Sequence, residues 1–332
     1  MKIINNNILC GKIIMRIINL KKLSKFIPII GVILFVYIIL NIGVEKIADT
    51  FLLISIHFYI IAAFIFILIL ILGSYKWKYL CDKQKIDLDI IYLLKLYLIN
   101  AFYITIIPVG LGGYVKIFYL KKKSKASIEK CFTNTLIDLT TGSIIGFFLA
   151  LIGSVVIFNF FPGFFPIILI FFIFNFTAFF VLMKKSGGKR FFKFFIRPFI
   201  PKKYKEKLDK SFESLYEDIP RIRDTILPFL IEVVIWTLAA LQVYIILQAF
   251  SINIPFHMFL LIHTISVVVI LIFPISIGGL GVREGVFVVL LNSLYGIEPY
   301  ISIVISLSGY IVKTIIPALA GMILAIKKES IL

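Results

Sequence analysis

Residues 274 to 285 read PISIGGLGVREG, and residues 108 to 116 read PVGLGGYVK. Each stretch places a proline four residues before a glycine pair, Gly112 and Gly113 in one and Gly278 and Gly279 in the other, and a cation follows, Lys116 or Arg283. These residue types together suit the capture of an oxyanion. Glycine lets backbone N–H groups approach a ligand closely, and a helix restarting after the glycines offers unpaired donors and a positive dipole end. Arginine can hold a phosphate through two N–H groups at once. Gly281 extends the second cluster, and Glu284 stands beside Arg283, where it would orient the guanidinium or limit its charge. The competing reading is that the glycines permit tight helix packing and that Arg283 pairs with Glu284 or lies at the headgroup level.

Other ionisable residues lie inside apolar stretches: Lys95, Asp138, Glu232 and Lys313. Such groups are costly at membrane depth and face a bundle interior or a water-filled cavity. Asn134, Asp138, Gly142, Gly146, Ala150 and Ser154 recur every four residues, one small and polar helix face. Ser302, Ser306, Gly309 and Lys313 form a similar stripe, so a pairing of Asp138 with Lys313 is expected, with helix packing as the alternative role. Glu232 lies near a span end, where headgroups or water would meet it. His57 and His263 stand singly on apolar stretches and read as packed, hydrogen-bonded side chains. Three cysteines, Cys10, Cys81 and Cys131, lie far apart and give neither a disulfide framework nor a metal-ligand pair. The sequence holds no catalytic triad, H-E-x-x-H or phosphate-binding loop. No metal and no cofactor are expected, and an enzyme is disfavoured.

The elements that must carry these residues are membrane helices. Of the 332 residues, 61% are hydrophobic, against roughly 45–50% in soluble domains. About 20 apolar residues cross the hydrocarbon core. Eight stretches qualify: 26–44, 51–73, 88–107, 132–158, 164–183, 226–250, 256–273 and 300–326. Two shorter apolar pieces, 109–120 and 286–295, begin beside the glycine clusters and read as re-entrant or broken helices. Irregular backbone at membrane depth is tolerated only within protein or beside a cavity, so the breaks imply a cavity. The expected fold is an all-α polytopic membrane protein with about eight transmembrane helices, two short broken helices and a possible internal repeat.

The formal charge of +18 would suggest nucleic acid in a soluble protein. Here the cations collect between the spans, where the positive-inside rule accounts for them, and no nucleic-acid partner is expected. If each short piece forms a hairpin with its neighbour, the N-terminal cations, 76–85, 121–130, 184–223 and 327–328 fall on one side. Both termini are then cytoplasmic in a multi-pass protein of the cell membrane. One membrane domain spans 1–332: a first half, 26–183, a basic interfacial linker, 184–226, and a second half, 227–326. The linker interleaves cations with phenylalanines and sets Tyr204, Leu208, Phe212, Leu215 and Ile219 at helical spacing, as suits a helix on an anionic leaflet.

The run FPISIGGLGVREGVFVVLLNSLYGI, followed by KTIIPALAGMIL, resembles the C-terminal signature of the lysylphosphatidylglycerol synthase transmembrane-region family. The stretch NAFYITIIPVGLGGYVKIFYLKKKSKASIEKCFTNTLIDLTTG is similar to that family's first signature. Two departures stand out: Lys116 occupies a place where arginine is common, and Leu139 follows Asp138 where an arginine would stand. The resemblance covers roughly residues 10–326. It implies a polytopic helical fold with two re-entrant regions and a role in moving lipids or lipid-linked intermediates between leaflets. Some relatives carry a fused aminoacyl- or glycosyl-transferring domain, and the short tail after the last span predicts none here.

The functional expectation is a flippase-like transporter for an anionic phospholipid or a polyprenyl-phosphate-linked lipid. Arg283, Lys116, Gly278, Gly279, Gly281, Gly112 and Gly113 would meet the phosphate, with Glu284, Asp138 and Lys313 in support. The alternative is a non-transporting scaffold or accessory subunit for a partner membrane enzyme that modifies lipids or glycans.

Overall fold

The protein is described here from a computed structural model, over residues 23–107, 111–184, 218–274, 276 and 278–326, with side chains from residue 33 onward. The described residues form helices: α1 (Leu23–Ile42), α2 (Val44–Leu52), α3 (Ile56–Lys83), α4 (Ile90–Ile106), α5 (Lys116–Lys123), α6 (Ile128–Val156), α7 (Phe164–Met183), α8 (Ile226–Gln248), α9 (Phe256–Ile272), α10 (Val282–Tyr295), α11 (Pro299–Tyr310) and α12 (Ile316–Ile326). A 3-10 turn, Leu111–Tyr114, precedes α5, another, Ile222–Thr225, precedes α8, and a π turn, Ile311–Ile315, joins α11 to α12. Among these residues, five helices are long and apolar enough to cross a membrane, with shorter apolar helices at 33–42, 90–106 and 256–272. The expected all-α polytopic architecture is present. Most of the linker, 185–217, with four of its five spaced apolar residues, lies outside the described residues, as does Lys327 to Lys328.

The helix ends follow local chemistry. Asp89 accepts from Ile91 N at 3.0 Å and opens α4, and Ser127 accepts from Lys130 N at 3.2 Å and opens α6. Gly296, with φ +66°, closes α10 in the left-handed conformation that glycine adopts without strain. Two boundaries differ from expectation. The stretch taken as a connection after the first span is the short helix α2, which buries Ile47 and Thr50. The next span starts at Ile56 and runs unbroken through Lys76 to Lys83, because Gly73, Ser74, Trp77, Leu80 and Cys81 continue a buried helical face past the cations.

Packing inverts the pattern of a soluble protein. Large apolar side chains such as Ile60, Phe64, Ile170 and Phe174 are more than half exposed on α3 and α7, as lipid-facing surface requires. The interior holds two larger apolar clusters. One joins α6, α8, α9, α10 and α11 through Phe147, Val243, Phe259, Phe287 and Ile305. The other joins α3, α4, α5 and the start of α6 through Trp77, Leu93, Leu96, Ile117 and Cys131. Gly321 brings α12 against the backbone of α4, where a Cβ would lie 2.0 Å from the Leu98 carbonyl oxygen.

Both short pieces pack on the helix before them, yet their backbones differ. Gly278, Gly279 and Gly281 all have positive φ, at +60°, +83° and +85°. Gly112 and Gly113 sit instead in a 3-10 turn, with Gly112 pressed on α4: a Cβ there would lie 2.3 Å from Tyr103 O. The paired sequence motif therefore encodes two different local solutions.

Candidate functional site

Helices α3, α5, α6 and α8 converge on four buried charges. Lys76, Lys116, Asp138 and Glu232 are each less than a tenth exposed. Lys76 Nζ lies 2.6 Å from Asp138 Oδ1 and also donates to Glu232, while Lys116 donates to Asp138 Oδ2. The Lys116 ammonium stands 4.5 Å from the centre of the Trp77 ring, and the Trp77 indole donates to Asn134, which donates to Gln84. Two cations meet two carboxylates, so the cluster is electrically balanced, the condition under which buried charge is tolerated.

This arrangement corrects three expectations. Asp138 pairs with Lys116 and Lys76, not with Lys313, because α5 and α3 present their ammonium groups to that face of α6. Lys76 is an interior residue of α3 and not part of a cytoplasmic loop. Glu232, expected near headgroups or water, is instead buried against Gly142, where a Cβ would come within 3.2 Å of its Oε1. The small face of α6 does pack as expected, with Gly146 receiving the Trp236 ring and Trp236 Nε1 donating to Gly142 O at 3.0 Å.

A second polar centre lies where α10, α11, the π turn and α9 meet. Arg283 donates to Glu284 Oε1 and, at 3.0 Å, to Ser306 Oγ, and its guanidinium stacks 4.4 Å over the Tyr310 ring. Glu284 is fully buried and its Oε2 accepts from Gly281 N at 2.7 Å. The Gly281 donor at the start of α10 is thus occupied by the protein's own carboxylate, which corrects the expectation that it stands open. Gly278 makes room for Tyr310: a Cβ would fall 2.1 Å from the Tyr310 hydroxyl.

Beside Arg283 is a partly open cavity of about 30 Å³ lined by Arg283, Lys313, His263, Ser306, Tyr310 and Thr314 among others. Lys116 is not in its wall, so the two cations of the paired motifs serve different centres. Lys313 sits in the π turn, a helix irregularity that recurs at functional positions. Pro317 follows and lacks the N–H that an α-helix would give to the Lys313 carbonyl. Among the described residues Lys313 makes no ion pair or hydrogen bond, and His263 Nε2 is buried without a partner. Sequence reasoning found Arg283, Glu284 and Lys313 but missed Tyr310 and Lys76. The continuing apolar period through WKYLC was the available signal for Lys76.

No group of three His, Cys, Asp or Glu side chains among the described residues is placed to hold a metal. Outside the spans, Asp218 binds Lys85 and Lys130, at 2.7 and 2.8 Å, and the hydrogen bond from Lys130, then that from Lys85, holds its carboxyl below the usual range. That clamp brings the α3–α4 loop, the α5–α6 region and the approach to α8 to one end of the bundle.

Comparison with known proteins gives a consistent result. The family described as the lysylphosphatidylglycerol synthase TM region matches residues 26–321. A UPF0104 membrane protein of Pyrococcus horikoshii is 23% identical over 326 residues, covering 92% of this chain and 97% of the relative. A UPF0104 membrane protein of Methanothermobacter thermautotrophicus is 24% identical over 303 residues, covering 85% and 89% respectively.

Proposed function

This chain belongs to the lysylphosphatidylglycerol synthase transmembrane-region family, and on that premise we propose that it is a flippase-like membrane protein that admits an anionic lipid headgroup to the Arg283 cavity and passes it between leaflets. The observation that carries this reading is the contrast between the buried cations. Lys76 and Lys116 are matched by carboxylates, whereas Lys313 faces the cavity beside Arg283 with no carboxylate among the described residues in ion-pair contact. A buried ammonium of that kind is stabilised by an arriving anion.

In this proposal Arg283 and Lys313 hold the phosphate of a phospholipid or polyprenyl-phosphate-linked lipid. Glu284 and Tyr310 fix the guanidinium, and Gly278 and Gly279 let the chain turn beside it. Lys116, Gly112 and Gly113 hold the first re-entrant hairpin and frame the pathway without gripping the headgroup. The same reading places both termini in the cytoplasm, the clamped basic end of the bundle facing inward. No nucleotide-binding motif supplies energy, so translocation is facilitated or ion-coupled.

The unmatched Lys313 in the cavity wall serves a second reading equally, a lipid-holding scaffold for a partner membrane enzyme. Native mass spectrometry with lipid identification, on the wild type and Arg283→Gln, tests the shared premise: a phosphate-bearing lipid is expected on the wild type and lost from the variant. Equal lipid on both sinks the headgroup role. Reconstituting the wild type in vesicles with a fluorescent analogue of the bound lipid then separates transport from holding.

A further inference from the structure

We infer that the Arg283 cavity selects a singly charged phosphate, a phosphodiester, over a doubly charged phosphate monoester; this rests on the anionic-headgroup reading above. The argument is one of charge balance in a buried site. Arg283 and Lys313 contribute two positive charges to the cavity wall, and Glu284, bound to Arg283, contributes one negative charge. His263, an uncharged imidazole in this count, adds hydrogen-bonding capacity without charge. One positive charge is left over. The neighbouring cluster of Lys76, Lys116, Asp138 and Glu232 is balanced within itself and has none to lend.

A ligand with one negative charge therefore neutralises the site, and a ligand with two leaves a buried net anion next to the Glu284 carboxylate. Uncompensated charge in such surroundings is strongly unfavourable. The available donors agree with this count. Lys313 Nζ makes no hydrogen bond among the described residues, His263 Nε2 is buried without a partner, and the Arg283 bonds leave from Nε and Nη2, so that Nη1 remains for a ligand. Three donor groups can serve the two non-bridging oxygens of a phosphodiester. The π turn and Pro317 set Lys313 at this point of the wall, so its charge belongs to the architecture of the last span and not to a flexible terminus.

The test is a competition in nanodiscs at about pH 7, where a phosphate monoester carries about 1.5 to 2 negative charges. Dioleoyl phosphatidylmethanol, dioleoyl phosphatidate and dioleoylglycerol are offered in equal amounts, and bound lipid is read by native mass spectrometry. The expected result is phosphatidylmethanol over phosphatidate by about tenfold on the wild type. Thr314→Lys, which adds a charge to the same wall, is expected to reverse the preference; a melting curve establishes that this variant is folded, and if it is not, the wild-type ratio alone decides. Phosphatidate bound as well as or better than phosphatidylmethanol overturns the charge count and leaves the headgroup site standing. Neither phospholipid bound above dioleoylglycerol overturns the headgroup site itself. Dimethyl phosphate serves as the acyl-free control: if it displaces phosphatidylmethanol at equal concentration, the ligand is a soluble monoanion and the lipid assignment is wrong.

Discussion

Lys116 at the start of α5 donates to Asp138 in the middle of α6, 22 residues further along the chain, while Lys76 of α3 approaches the other oxygen of the same carboxylate. One aspartate thus ties α5 to two long helices. Removing one partner of a buried pair leaves the other uncompensated, at about 3–5 kcal/mol. Asp138→Asn is therefore expected to be strongly destabilising. The double variant Lys116→Met, Asp138→Leu leaves Lys76 paired with Glu232 and is expected to melt above Asp138→Asn. Thermal unfolding in detergent of the wild type, Lys116→Met, Asp138→Leu and the double variant closes a double-mutant cycle that reads the coupling directly; additive losses would mean that the pair contributes nothing as a pair.

Gly112 and Gly113 are adjacent but not equivalent. A methyl group at Gly112 meets the α4 backbone at 2.3 Å from Tyr103 O, which cannot yield without moving a helix. A methyl group at Gly113 meets only Leu139 side-chain carbons, at 3.5 Å. Gly112→Ala is expected to lower stability by about 1–3 kcal/mol, the usual range for overpacking, and Gly113→Ala to change it by less than about 0.5 kcal/mol. Comparable melting temperatures for the two variants would contradict the packing of the 3-10 turn on α4.

The Asp218 clamp predicts an acid dependence. Its carboxyl is held below its ordinary value by hydrogen bonds from Lys130 and Lys85, so the folded state binds that proton less readily than the unfolded chain. Its contribution is present above the unfolded value, about pH 3.9 for aspartate, and is lost as pH falls from there through the folded value. The wild type is expected to lose melting temperature below about pH 4 more steeply than Asp218→Asn. The two curves should run parallel between about pH 5 and 7. Identical acid slopes would show that the clamp does not act in solution.

Much of the fold was legible in the chain because hydropathy and local turn chemistry are properties of short windows. The eight long apolar stretches and the two short pieces correspond to described helices, although the stretch expected to end at residue 73 continues as α3 to Lys83. The small face of α6 was legible for the same reason: a repeat of four puts Gly142 and Gly146 in line, and both receive α8 side chains. Within the second centre, Arg283 and Glu284 could be found because they are sequence neighbours beside a glycine cluster.

The sequence by itself determined where helices begin, where they break and which carry costly polar groups. Only the tertiary structure decided which charges meet. Lys76 lies 62 residues from Asp138 and 156 from Glu232, and their pairing depends on how α3, α6 and α8 are rotated about their axes. The alignment of Lys116 with Arg283 was real in sequence, but neighbouring helices gave one an aspartate and the other a cavity. Helix rotation and neighbour choice are set by packing summed over the whole bundle, and no local window contains that sum.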